Sequence, residues 1–110
     1  MGKYSTLSEI QIGAHKYSIW LVDAATVDGD DRWGETALEK NKIKVSIRSR
    51  DGEYRPLSTI EDTLLHEILH AVSHIYNCDL SENQTLQMTQ GVLQVLKQYG
   101  LVLVKEDVSQ

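Results

Sequence analysis

Within the apolar run LLHEILHAVSHIY, residues 64 to 76, stand two histidines four apart with a glutamate directly after the first: His66-Glu67-Ile68-Leu69-His70. On a helix, residues i and i+4 lie one above the other, so the imidazoles of His66 and His70 can ligate a single metal ion. Glu67 then projects toward a water on that ion rather than toward the ion. It can take a proton from the water and later deliver it to a leaving amine. Zn²⁺ is the expected metal, since it lowers the pKa of a bound water to about 7 and polarises a carbonyl. By composition alone, HExxH arises in roughly one of a few hundred chains of this length. Buried among Leu and Ile, these polar groups would otherwise carry a desolvation cost with no return.

A catalytic zinc wants three protein ligands and one open position. His74 continues the i+4 series, but at the helical rise it lies about 12 Å along the axis from His66. It is therefore expected on the site wall or the surface. The metzincin pattern would need glycine at 73 and histidine at 76, where this chain has Ser73 and Tyr76. The remaining source is the following helix, as in the gluzincin arrangement. Glu82, its only glutamate, is the first candidate for the third ligand. Asp79, Cys78 and Gln87 follow, with a water or an incomplete site as the other options. A first-turn carboxylate also has an ordinary structural use there, complementing the helix dipole.

The elements that must position these groups follow from periodicity. Ile10-Ile12 and Tyr17-Ile19-Leu21 alternate around Gly13-Ala14, which predicts a hairpin. Residues 28 to 32, DGDDR, read as a polar loop. WGETALEKNKIKVSIRS reads as a second hairpin turning near Lys40-Asn41. In its return strand Ile43, Val45 and Ile47 alternate with Lys42, Lys44, Ser46 and Arg48. Past Pro56 the period lengthens. Ser58-Thr59-Ile60-Glu61 predicts a capping box, with a helix from near Thr59 and a buried stripe of Leu64, Leu65, Ile68, Leu69, Val72 and Ile75. Ser81 to Gln84 predicts a second capping box, opening a helix that carries Leu86, Val92, Leu93, Val95 and Leu96 and stops at Gly100. LVLV, 101 to 104, reads equally as a final strand or a docked tail. The predicted fold class is α+β: antiparallel strands in two hairpins, then the HExxH helix and a second packed helix.

The bulk numbers are consistent with one domain spanning 1–110. A 41% hydrophobic and 25% charged composition is that of a globular chain rather than a disordered one. Net charge is −5, and the scattered Lys and Arg residues form no basic stripe, so no nucleic-acid partner is expected. One cysteine, Cys78, precludes an internal disulfide and fits a reducing cytoplasm. No apolar signal segment opens the chain and no stretch is long enough to span a bilayer, so no membrane partner is expected. Oligomeric state is not legible. No glycine-rich phosphate loop, CxxC pair or Ser-His-Asp signature competes with the HExxH site.

The stretch EDTLLHEILHAVSHIYNCDLSENQTLQMTQGVLQVLKQYG resembles the C-terminal half of short phage- and prophage-encoded zinc metallopeptidases. These are distant relatives of the minigluzincins and of repressor-cleaving immunity metallopeptidases. The resemblance is carried by Thr63-Leu64-Leu65-His66-Glu67, by Leu80-Ser81-Glu82 and by Gly91-Val92-Leu93-Gln94-Val95-Leu96, with WGET…KIKVSIRS similar to their strand pair. It covers roughly residues 8 to 100, and HExxH is its specific part. Such relatives often carry a further acidic residue early in the second helix, where this chain has Asn83, Gln84, Leu86 and Gln87.

The resemblance implies a zincin-like domain that hydrolyses peptide bonds in a peptide or protein substrate. Metal ligands would be His66, His70 and Glu82, with Glu67 as base and acid. It also implies an edge strand near Trp33 to Leu38 that pairs with an extended peptide. Trp33 and Glu35 are candidate cleft residues, and Tyr76 and Tyr99 candidate oxyanion donors. The alternative expectation is a catalytically impaired zinc-binding relative acting as a protein-interaction module.

Overall fold

The computed structural model describes residues 4–27, 32–100 and 103–104. Most of the predicted loop at 28–32, and Leu101-Val102 of the LVLV segment, lie outside the described residues. Four strands form one sheet: β1 Tyr4–Ile12, β2 His15–Val22, β3 Gly34–Ala37 and β4 Lys42–Ser46. Two helices follow, α1 Leu57–Ile75 and α2 Glu82–Gln98. The α+β class and both hairpins are as expected.

The β1–β2 hairpin turns at Gly13, whose φ of +60° suits glycine, and pairs Ile12 with His15. The second hairpin runs from β3 through a 3-10 turn, Leu38–Lys40, and a left-handed Asn41 into β4. The way the hairpins join corrects the expectation. Strand order is β1-β2-β4-β3, so β4 lies parallel to β2, with Ser18 opposite Lys42 and Val22 opposite Ser46. The sheet is mixed, not purely antiparallel. Alternation dictates which side chains face inward but not which strand lies next to which. Burial makes that choice here: Ile43 and Val45 are fully buried on β4, whereas every residue of β3 is half-exposed. The more apolar strand takes the centre and β3 is left as an edge.

α1 covers one face of this sheet. Ile60, Leu64 and Ala71 enter a core with Tyr17, Ile19, Leu21, Ile43 and Val45, and Ile68, Val72 and Ile75 pack at its margin. Among the described residues Tyr17 is the largest fully buried side chain. Full burial of one Leu, such as Leu64, contributes about 1.5–3 kcal/mol.

The start of α1 also differs from the predicted capping box. The helix begins at Leu57 with Pro56 as N-cap and no side-chain cap. Glu61 instead turns inward, accepting from Lys97 Nζ at 2.8 Å and from the backbone N–H groups of Leu103 (2.8 Å) and Val104 (3.2 Å). Burial alone would raise the Glu61 pKa, but the Lys97 hydrogen bond, the two amide donors and the Lys97 charge together hold it below the usual carboxylate range. Leu103 and Val104 are therefore a docked tail.

α2 opens on the predicted capping box. Gln84 N–H donates to Ser81 Oγ at 3.0 Å, and Ser81 N–H donates to Gln84 Oε1 at 2.9 Å. Its packing face is only partly the expected apolar one, with Val92, Leu93 and Leu96 half-buried. Thr85 and Thr89 are fully buried, while Leu86, Met88 and Val95 are exposed. The two threonine hydroxyls donate one turn back, to Ser81 O and Thr85 O, so their burial leaves no polar atom unpaired. The displaced apolar residues form an open groove of about 620 Å³ along Leu80, Met88, Val92 and Val95.

Candidate metal centre

His66 and His70 occupy one face of α1, and the connection to α2 returns the chain to that face. Asn77 and Asp79 adopt left-handed backbone (φ 55° and 57°), a conformation these residue types tolerate. Ser73 clamps the turn: its carbonyl accepts from Cys78 N–H at 2.9 Å and its hydroxyl from Leu80 N–H at 3.0 Å. Ser81 then caps α2, and Glu82 becomes its first residue.

The three side chains meet at one point. Glu82 Oε1 stands 2.6 Å from His66 Nε2, and Glu82 Oε2 stands 3.1 Å from His70 Nε2. The two Nε2 atoms are 3.1 Å apart, their rings nearly perpendicular at 81°. One ligand atom from each residue can be chosen so that all three lie within 4.8 Å of one another. Two imidazole nitrogens and a carboxylate directed at a common point fit a divalent cation of the zinc type, whose ligands are separated by about 3.3 Å in a tetrahedral shell. His66, His70 and Glu82 can thus hold a metal ion, and among the described residues no other group of this kind occurs.

Glu67 is buried beside this cluster, turned toward β3. The Thr36 hydroxyl lies 2.7 Å from Glu67 Oε1 and 3.0 Å from the Glu67 carbonyl oxygen. Gly34 makes this approach possible. A Cβ there would stand 2.9 Å from Glu67 Cγ, 3.0 Å from Glu67 Oε2 and 2.8 Å from Thr63 Cγ2. The cleft over these groups has a volume of about 790 Å³. The candidates Trp33 and Glu35 line it, together with Thr36, Leu38, Asp62 and Leu86.

One end of the cleft is braced by a buried arginine. Arg55 is 3% exposed and donates to Ser46 O and Thr63 Oγ1, each at 2.6 Å, while its guanidinium lies 4.8 Å from the centre of the Trp33 ring. Burial lowers its pKa, an effect opposed by the nearby Asp62 charge.

The other candidates fall elsewhere. His74 is exposed and lines an adjoining polar recess with Ser73, Asn77 and Asp79, which shares His70 with the cleft. Neither Asp79 nor exposed Cys78 belongs to the cluster, and Gln87 lines the apolar groove on α2. Tyr76 and Tyr99, the candidate oxyanion donors, do not line the cleft; the Tyr76 hydroxyl lies near Gly13 at the β1–β2 turn. Sequence reasoning missed Thr36, Gly34 and Arg55. A glycine inside the short WGET strand was the available signal, since glycine within a strand often marks close approach by another element.

Among the described residues no helix is long and apolar enough to cross a membrane. No family model matches the chain, and no curated protein or solved structure matches it.

Proposed function

We propose that this chain is a zinc-dependent metallopeptidase of gluzincin type, hydrolysing peptide bonds in a peptide or protein substrate. The observation that supports it most is the convergence of His66, His70 and Glu82 with Glu67 beside them in one cleft. His66 and His70 supply Nε2 donors and Glu82 a carboxylate. Zinc, when bound, lowers the pKa of a water and polarises the scissile carbonyl.

The remaining work belongs to the chain. Glu67 accepts a proton from the attacking water, whose oxygen forms a bond to the carbonyl carbon. The same carboxyl then gives that proton to the departing nitrogen as the C–N bond breaks. An extended substrate pairs with the open edge of β3, which runs past Glu67 and bonds only to β4 on its other side. Trp33 and Leu38 flank that edge and provide apolar contact.

The test is Glu67→Gln. The variant is expected to bind about one zinc per chain, as wild type does, and to lose cleavage of a mixed peptide library by at least about 100-fold. Equal cleavage by both proteins would refute the proposal.

A second reading is a zinc-stabilised interaction module without turnover. The exposed apolar groove on α2, outside the cleft, favours it. It gains if zinc-loaded wild type cleaves nothing in that library.

A further inference from the structure

We propose that Thr36 is the positioning residue for Glu67, holding its carboxylate against β3 in the wall of the cleft. The inference rests on the reading of Glu67 as the proton-transfer group.

A glutamate has three side-chain torsions, and a general base must hold its acceptor within hydrogen-bond reach of the water it deprotonates. On an open helix face those torsions would sample many arrangements. In this cleft β3 restricts them in two ways. Gly34 offers no Cβ, so the Glu67 stem lies flat against the strand, with Cγ 2.9 Å and Oε2 3.0 Å from where that atom would be. Thr36, two residues on and facing the same side of β3, reaches both ends of Glu67. Its hydroxyl is 2.7 Å from Oε1 and 3.0 Å from the residue's own carbonyl oxygen. The single hydroxyl proton is shared between these two acceptors, at the shorter distance to the carboxylate. With Oε1 bonded to Thr36 and Oε2 close to Gly34, the carboxylate is held against β3.

The alternative use of Thr36 is to pin β3 onto α1 without regard to Glu67. The two uses part on substitution. Thr36→Val keeps the shape and removes the hydroxyl; Thr36→Ser keeps the hydroxyl and removes the methyl. A pinning role through the Glu67 carbonyl predicts a less stable Thr36→Val with the Glu67 carboxylate still in place. A positioning role predicts a displaced carboxylate in Thr36→Val, and either role tolerates Ser.

The experiment compares wild type, Thr36→Val and Thr36→Ser. Zinc affinity is read by competition with a chromogenic chelator, kcat and KM on a library-derived peptide, and the Glu67 conformation by crystallography of each protein without added zinc. Zinc affinity is expected to stay within about three-fold across the three. kcat falls about 10- to 100-fold in Thr36→Val with KM nearly unchanged, as expected for a misplaced catalytic group, and returns to within about three-fold in Thr36→Ser. The Glu67 carboxylate leaves its place in the Val variant and keeps it in the Ser variant. If wild type cleaves no peptide, the peptidase reading fails on its own, and the crystallographic comparison still decides the role of Thr36. A Glu67 carboxylate that stays in place in Thr36→Val overturns the proposal, as does an unchanged kcat.

Discussion

Glu82 Oε1 lies 2.6 Å from His66 Nε2 across a separation of sixteen residues. The contact exists because the turn through Asn77 and Asp79 brings the first residue of α2 back to the middle of α1. Glu82 is largely exposed, so ordinary helix-dipole compensation would not require it to point at two histidines.

Replacing Glu82 by Ala should therefore weaken zinc binding by more than about 100-fold, beyond the loss typical of a supporting residue. Asp79→Ala, which removes the runner-up carboxylate, should leave the affinity within about three-fold. Isothermal titration of zinc into both variants checks this. Equal losses would assign the third ligand to neither.

Gly34→Ala should disturb the site from the strand side. The added methyl would press on Thr63 Cγ2 and Glu67 Cγ, both closer than 3 Å. Overpacking of this kind costs about 1–3 kcal/mol, read as a lower midpoint in urea unfolding. Zinc affinity should change little, because the three atoms nearest the new methyl belong to Thr63 and Glu67 rather than to a metal ligand.

The Glu61 clasp makes stability depend on pH. Its pKa is held below the ordinary glutamate value of about 4.3, so its contribution is fully present above that value and is lost as pH falls through the lowered one. At neutral pH Glu61→Gln should cost roughly 1–3 kcal/mol, the scale of hydrogen bonds to a charged group. Thermal unfolding of both proteins from neutral to strongly acid pH should show the difference shrinking as wild type is protonated. A constant difference would mean that the Lys97 and tail contacts do not depend on the carboxylate charge.

The parts of this molecule that were legible in its sequence are those built locally. HExxH sets His66, Glu67 and His70 on one helix by spacing alone. Ser81 and Gln84 announce their own capping box, and Gly13 its turn. The misread parts depend on distant partners. Ser58 and Glu61 have capping-box spacing, but Glu61 finds an ammonium and two amides from the far end of the chain, and these outweigh a local cap. The parallel pairing of β2 with β4 follows from burial of Ile43 and Val45 at the sheet centre, which alternation does not specify. Thr85 and Thr89 look polar in sequence, yet their hydroxyls are satisfied within the helix and they occupy its inner face. Thr36 carries no motif. Its relation to Glu67, 31 residues later, appears only when β3 is laid against α1.

The central claim is that His66, His70 and Glu82 hold one metal ion. Its most direct test is an anomalous-diffraction map of a zinc-soaked crystal, collected at the zinc edge. The account predicts one strong peak at about 2.0–2.2 Å from His66 Nε2, His70 Nε2 and a Glu82 carboxylate oxygen. A peak that excludes Glu82, or no peak on α1 at saturating zinc, would contradict it.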